Sequence, residues 1–390
     1  MDSSFPDFLN LEERYTPIEK GVRKAARAFV QKEIEPIIAD AFLKGEFPTS
    51  IIPKVASLGF LGPTLPKKYG GMDLGDIAYG LMLQELEAGD SGIRSFVSVQ
   101  GALCMYPIFR YGSEEQRMRW LPQMAKGELI GCFGLTEPDA GSDPGGMSTT
   151  AKPTEKGWEI SGRKMWITNG TLADLAVVWA KHSETDEVLG FVLEKGMEGF
   201  SAPEMEGKLS LRASVTSELV MDKVQVPDAN RLPTAQGLGA PLSCLTQARF
   251  GIAWGTLGLA IDCYREALQY TKEREQFGRP IAGFQLTQAK LVQLLCDITG
   301  AQGMLYHMGK AKEAGTLTHQ QVSMAKRVCC ELGIRAAREA RSMLGGSGIL
   351  ADFHCQRHSM NMESVITYEG THEVHTLILG REITGLNAFS

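Results

Sequence analysis

The 390-residue sequence has no C-x-x-C pair among its eight cysteines, so it lacks the spacing that zinc ribbons and dithiol redox motifs need. Neither a disulfide framework nor a metal site is expected, and unpaired cysteines suit a reducing cytoplasm. Positive charge is not in excess. Its 40 Lys and Arg against 46 Asp and Glu give a net charge of -6, which argues against a general nucleic-acid or anionic-membrane binder. The opening MDSSFPDFLNLEERYTP is acidic and has no basic segment with an apolar stretch behind it, so it does not read as a secretory or transit peptide. In the run 232–261 the only charge is Arg249, but Ser243, Thr246, Gln247 and several glycines interrupt it. A buried helix fits that run better than insertion into a membrane. No G-x-G-x-x-G follows a strand-like segment, so the usual nicotinamide-binding fingerprint is missing.

What is present is the composition of an ordinary globular chain, 43% hydrophobic and 22% charged, long enough for about two or three domains. Ile18, Val22, Ala25 and Phe29 fall on one helical face, and helical patterns follow at 49–58, 74–88 and 114–126. From Leu129 the pattern changes to short runs rich in Val, Ile and Trp: GWEISGRKMWITN, LADLAVVWAKH, EVLGFVLEKG and SELVMDKVQVP. No helix-length segment separates them, so antiparallel pairing in a sheet or barrel is expected rather than βαβ units. Helical spacing returns after Pro241 in two long segments, with two more at 320–343 and 374–384. The predicted class is α+β, mostly α: an N-terminal helical domain over 1–128, a middle antiparallel β-barrel over 129–237 and a C-terminal helical bundle over 238–390.

Four stretches could carry chemistry. In FGLTEPDAGSDPGG, residues 133–146, Thr136, Gly141 and Ser142 sit where helices give way to strands; the choice is between an ordinary turn and a junction whose amides meet a ligand. Arg94 is the only charge between Asp90 and Arg110, and if buried it needs a partner: Glu87 or Asp90 internally, or the carboxylate of a ligand. Arg249 has no acid within a helical turn, so its partner must come from elsewhere, Glu369 being one choice. TKEREQFGRPIAGFQ reads as a helix ending at Phe277-Gly278 and another opening at Phe284, which leaves Arg274 and Gln285 at helix ends. Near the C-terminus, Tyr368-Glu369-Gly370-Thr371-His372-Glu373 interrupts two apolar segments, as either a solvated helix start or a catalytic corner.

Together these stretches resemble the acyl-CoA dehydrogenase family of flavoproteins over nearly the whole chain. The specific motifs are L-T-E-P-x-x-G-S-D (135–143), W-I-T-N (166–169), R-x-Q-F-G-x-P-I-x-x-F-Q (274–285) and Y-E-G-T (368–371). GDSGIRSFVSVQ, QARFGIAWG and SVITYEGTHEVHTLILGREITG are most similar to the glutaryl-CoA dehydrogenase subfamily. The resemblance implies a β-barrel between a helical domain and a four-helix bundle, non-covalent FAD, a homotetramer and transfer of electrons to an electron-transferring flavoprotein. It implies cofactor contacts from Phe133, Leu135, Thr136, Gly141, Ser142, Trp166, Ile167, Thr168, Thr371 and Glu373, and from Leu344, Gly345 and Gly346. Arg274, Phe277 and Gln285 join them, Arg274 and Gln285 reaching a neighbour's FAD. Acyl-CoA contacts are implied for Ser95, Ser142, Leu242, Arg249 and Gly370. Arg94, with Glu87 and Tyr368, is implied to hold the distal carboxylate of a dicarboxylyl thioester, and Glu369 to be the base. This chain departs from the family's pattern at Glu373, where many relatives carry Gln or Asp, and at Ser347, where Asn is common.

Overall fold

The computed structural model describes residues 6–389; Met1 to Phe5 and Ser390 of the expected terminal domains lie outside them. Helix α1 (Pro17–Phe29) begins on a capping box: the Thr16 hydroxyl accepts from the Glu19 amide at 3.3 Å, and the Glu19 carboxylate accepts from the Thr16 amide at 2.6 Å. The helical N-terminal part continues with α2 (Glu35–Lys44), α3 (Ile52–Ser57), α4 (Asp76–Gly89), α5 (Ser91–Ser98), α6 (Tyr106–Tyr111) and α7 (Glu114–Ala125). One extended residue, Asp90, separates α4 from α5, and its carboxylate caps α5 by accepting from the Gly92 amide at 2.7 Å. Between α5 and α6 the chain winds as a π-helix over Val99–Met105.

The middle segment forms β1 (Gly131–Gly134), β2 (Thr150–Thr154), β3 (Gly157–Thr168), β4 (Leu175–His182), β5 (Val188–Glu194), β6 (Phe200–Ser201), β7 (Thr216–Pro227) and β8 (Arg231–Gln236). Their order is β6-β7-β3-β2-β4-β5-β8, with β1 added against β4. This corrects the expected antiparallel barrel: β6 and β8 end the path without pairing to each other, and both β1 and β2 run parallel to β4. The four runs visible in the sequence do pair antiparallel, β3 with β7 and β4 with β5. The parallel pairs come from shorter strands that carry too few residues for a period-two signal, and the 135–149 loop supplies the crossover between them.

The C-terminal part comprises α8 (Gly239–Glu273), a hairpin β9 (Glu275–Gln276) and β10 (Arg279–Pro280), then α9 (Gln285–Glu313), α10 (His319–Met343), α11 (His354–Val365) and α12 (His372–Thr384). The expected helix end at Phe277-Gly278 is instead the hairpin turn. Both residues have left-handed backbones, φ 51° and 75°, the pattern of a two-residue turn with primed geometry. Helix α8 is buried along most of its length, and no helix among the described residues is long and apolar enough to cross a membrane. It lies unusually close to α4. A Cβ on Gly258 would stand 1.8 Å from the Gln84 carbonyl oxygen, and one on Gly255 would stand 1.9 Å from Glu87 Oε2. Only glycine permits that approach, and it brings the middle of α8 against the charged end of α4. One apolar core joins α1, α4, α8, α9 and α10; a second fills the space between the helices around Val99–Ala125 and one face of the sheet.

Candidate active site

Glu369 lies in the connection between α11 and α12, and its backbone is left-handed with φ 52°, a conformation that costs a non-glycine residue about 1–3 kcal/mol and persists only where surroundings enforce it. Gly370 follows at φ 97°. Three consecutive carbonyl oxygens are captured by buried cations. Lys326 Nζ, on α10, donates to the oxygen of Tyr368 and, at 2.5 Å, to that of Gly370, while Arg249 Nε, on α8, donates to that of Glu369 at 2.6 Å. Lys326 is 1% exposed and Arg249 8%. The Glu369 atom Oε2 is buried without a hydrogen-bond partner. Burial raises the Glu369 carboxyl above its ordinary value, and the charges of Lys326, Arg94 and Arg249 oppose that rise.

Arg94 resolves into an internal pair. Its Nε donates to Glu87 Oε2 at 2.7 Å, and its Nη2 donates to Glu87 Oε1 at 3.2 Å and to the Tyr368 hydroxyl. Arg94 and Glu87 side chains are 1% and 0% exposed. Burial works against the Arg94 charge, but Glu87 and Tyr368 outweigh it and the guanidinium stays protonated. These three bonds use Nε and Nη2, which leaves Nη1 to meet a further acceptor. Of the internal partners the sequence offered Arg94, Glu87 is the one realised, with Tyr368, next to Glu369, closing the pair, while Asp90 instead accepts from Arg357 Nε at 3.1 Å. Ser95 is buried on α5, and Leu242 is half-buried at the start of α8, two turns before Arg249.

A second group lines the sheet edge. Gly141, Ser142 and Trp166 are exposed, and Thr136 and Thr168 are half-buried. The Met165 amide donates to the Thr136 carbonyl at 2.8 Å, fixing the 135–143 loop against W-I-T-N. Underneath, Glu137 Oε1 accepts from Lys164 Nζ at 2.8 Å and from the Thr149 amide at 2.9 Å, and Oε2 accepts from the Ser148 amide at 2.6 Å. Lys164 also donates to the Leu135 carbonyl at 3.1 Å, and burial pulls its ammonium down to about 8 against the pull of Glu137. Phe133, Leu135 and Ile167 are buried, Phe133 against Trp179, so these residues can offer a ligand only their backbones.

A third group lies at the far end of α8. Arg274, Phe277 and Gln285 are exposed, while the Tyr270 hydroxyl reaches Ser347 Oγ at 3.3 Å and ties this corner to the 345–349 loop. Nothing stands within 4 Å of where a Cβ on Gly345 or Gly346 would lie, so this backbone is open to a ligand; Leu344 belongs to the core. Thr371 caps α12 by accepting from the Val374 amide at 3.2 Å. Glu373 is exposed in the same first turn, and its carboxylate is held low by its own backbone amide and the Thr371 hydroxyl. It thus serves the helix start.

Sequence reasoning missed Lys326, Glu137 and Lys164. Lys326 interrupts the buried face of α10 between Ala325 and Cys329, an apolar stripe where a cation demands a partner, and that was a readable signal. Glu137 stands inside the quoted L-T-E-P motif.

Family models match along the chain: "Acyl-CoA dehydrogenase, N-terminal domain" over residues 16–128, the middle domain over 132–224 and the C-terminal domain over 235–384. Glutaryl-CoA dehydrogenase from Mycobacterium smegmatis superposes with a TM-score of 0.96 at 50% identity, covering 98% of this chain and 99% of that one. A glutaryl-CoA dehydrogenase of M. smegmatis in complex with FADH2 gives a TM-score of 0.96 at 45% identity, with 99% of each chain covered. The short-chain-specific acyl-CoA dehydrogenase of Megasphaera elsdenii is 33% identical over 373 residues, 94% of this chain and 97% of its own. With three family models in order along the chain, it belongs to the acyl-CoA dehydrogenase family and is an FAD-dependent oxidoreductase.

Proposed function

We propose that the chain dehydrogenates glutaryl-CoA across its α,β bond and decarboxylates the product to crotonyl-CoA and CO2. The observation that carries this reading is a fully buried guanidinium, Arg94, hydrogen-bonded to the residue next to Glu369 and retaining Nη1 for an incoming carboxylate. The M. smegmatis relatives named glutaryl-CoA dehydrogenase support it.

The residues fit an FAD. Hydroxyls and backbone amides at Thr136, Ser142 and Thr168 suit the heteroatoms of a ring edge, the open backbone at Gly345 and Gly346 admits a close approach, and exposed Arg274 suits a pyrophosphate. Bound there, FAD supplies the acceptor for the β-hydrogen and its electron pair. Glu369 takes the α-proton onto the carboxylate whose Oε2 has no partner, and its desolvation strengthens it as a base. The Glu369 amide polarises the thioester carbonyl as charge develops. Arg94 holds the distal carboxylate, with Glu87 and Tyr368 fixing its plane. When the C–CO2 bond of the glutaconyl thioester breaks, its electron pair spreads into the dienolate, and protonated Glu369 returns a proton to the γ-carbon. Ser142, Leu242 and Arg249 face the CoA ester in this reading, and Arg274 and Gln285 serve a neighbour's FAD in a homotetramer. The electron acceptor in this reading is an electron-transferring flavoprotein.

A second reading rests on Glu87. Because it already neutralises Arg94, the site is charge-balanced without a dicarboxylic substrate, as a short-chain acyl-CoA dehydrogenase would need. Mass spectrometry of products from glutaryl-CoA and an artificial one-electron acceptor separates the cases. Crotonyl-CoA with CO2 supports the first reading; glutaconyl-CoA alone removes decarboxylation; inert glutaryl-CoA with oxidised butyryl-CoA establishes the second.

A further inference from the structure

We propose that Lys326 is a positioning residue that sets the peptide planes on both sides of Glu369 and so aims its amide and carboxylate at the substrate thioester. This rests on the reaction proposed above.

The argument begins with the planar trans peptide, in which the carbonyl of one residue and the N–H of the next point in opposite directions. Lys326 Nζ donates to the Tyr368 carbonyl oxygen, so the Glu369 N–H is turned away from α10. Its bond to the Gly370 oxygen at 2.5 Å fixes the plane after the base in the same way, and Arg249 holds the one between at 2.6 Å. A left-handed Glu369 at φ 52° persists only where such contacts over-determine it. Nothing else explains a lysine here. It is 1% exposed on a helix face otherwise lined by Val322, Ala325, Cys329 and Cys330, and among the described residues its hydrogen bonds run to the Tyr368 and Gly370 carbonyls rather than to a carboxylate. Its charge reaches Glu369 as the largest influence opposing desolvation. Burial pulls the ammonium itself down to about 8, with Arg249 and Arg94 adding to that and Cys330 and Glu369 resisting.

The other titratable groups around this corner are Tyr79 and Glu87 on α4, Arg94 on α5, Arg249 on α8, Cys330 on α10, Tyr368 in the connection itself, and His372 and His375 on α12. His375 is 1% exposed, has no partner on either ring nitrogen, and is held neutral by burial, down to about 2. Arg94 and Arg249 remain charged, so removing Lys326 subtracts one positive charge from Glu369 without converting another. The carboxyl then rises further.

The test compares wild type, K326M and K326Q as FAD-loaded protein in three readouts: kcat and KM, the acid limb of kcat against pH, and the carbonyl stretch of bound 13C-labelled crotonyl-CoA by isotope-edited infrared spectroscopy. In K326M, kcat is expected to fall about 100-fold, the size of losing one well-aimed donor, with KM changed by less than about threefold. The acid limb moves to higher pH, and the carbonyl stretch returns towards its value in water. K326Q, which keeps polarity but lacks the reach and the charge, follows K326M. An unshifted acid limb and an unchanged carbonyl stretch in K326M overturn the proposal even if kcat falls. Failure of both variants to hold FAD assigns Lys326 to the bundle's folding and also overturns it. Wild type that oxidises neither glutaryl-CoA nor butyryl-CoA overturns the reaction and this role together, whereas an active wild type with an indifferent K326M overturns this role alone.

Discussion

Arg249 Nε donates to the carbonyl oxygen of Glu369 at 2.6 Å across 120 positions of sequence, joining the middle of α8 to the connection before α12. The contact is to backbone. A carboxylate partner would have quenched both charges; with this one, the guanidinium restrains the corner and leaves the Glu369 side chain free to exchange a proton. Replacing Glu369 by Gln is therefore expected to keep FAD content and acyl-CoA binding while lowering turnover by about 10²–10⁴-fold, read by steady-state kinetics beside the flavin absorbance.

Acidity tests the same residue. Its folded carboxyl is raised by burial, so the base is lost to protonation above the ordinary value of 4.5, and the acid limb of kcat is expected on the alkaline side of that value. A limb at or below 4.5 would show a base that is well hydrated.

Arg94 separates specificity from folding. Arg94→Gln is expected to lower kcat/KM for glutaryl-CoA at least about 30-fold more than for butyryl-CoA, since about 2–5 kcal/mol is typical for losing one side of a buried charged contact. Equal losses on both substrates would mark the Glu87 pair as structural.

Gly255 is the hinge of that pair. A methyl at this position would lie 1.9 Å from Glu87 Oε2 and 3.2 Å from Arg94 Nε, so Gly255→Ala must displace the carboxylate or the helix. An overpacking cost of about 1–3 kcal/mol is expected as a lower Tm by calorimetry, together with weaker glutaryl-CoA turnover. Gly300, on α9 with nothing within 4 Å, is the control position, where the same change should leave Tm within a degree or two or raise it.

Glu137 predicts an acid transition. Burial alone would raise its carboxyl, but Lys164 and the Thr149 and Ser148 bonds hold it down at about 2 against an ordinary 4.5. Because the folded value is depressed, its contribution to stability is complete above pH 4.5 and is lost as pH falls towards 2. Acid unfolding followed by tryptophan fluorescence should steepen in that window, and Lys164→Met should flatten it while releasing FAD more readily.

Much of the architecture follows from local pattern. The helical spacing around Val22 and Phe29 and the four Val- and Ile-rich runs dictate α1, β3, β4, β5 and β7, because periodicity acts over a few residues, although Ile18 of the expected α1 face is 65% exposed and the buried face runs through Val22, Ala26 and Phe29. The isolation of Arg94 and Arg249 in apolar helices already required partners, and the polar break at Tyr368 to Glu373 already required a reason. Which partners were chosen was not local. Glu87 meets Arg94 only because Asp90 breaks the helix and Gly255 lets α8 approach. Lys326 meets the carbonyls beside Glu369 only because α10 packs under the connection to α12. The open, mixed sheet likewise depended on β1 and β2 finding β4, a pairing of short strands that carry little pattern of their own. The sequence determined which groups could not be left unpaired, since burying a lone charge or backbone dipole is costly wherever it occurs. Only the tertiary structure decided what pairs with them, because that depends on helices and strands separated by a hundred residues or more meeting in one place.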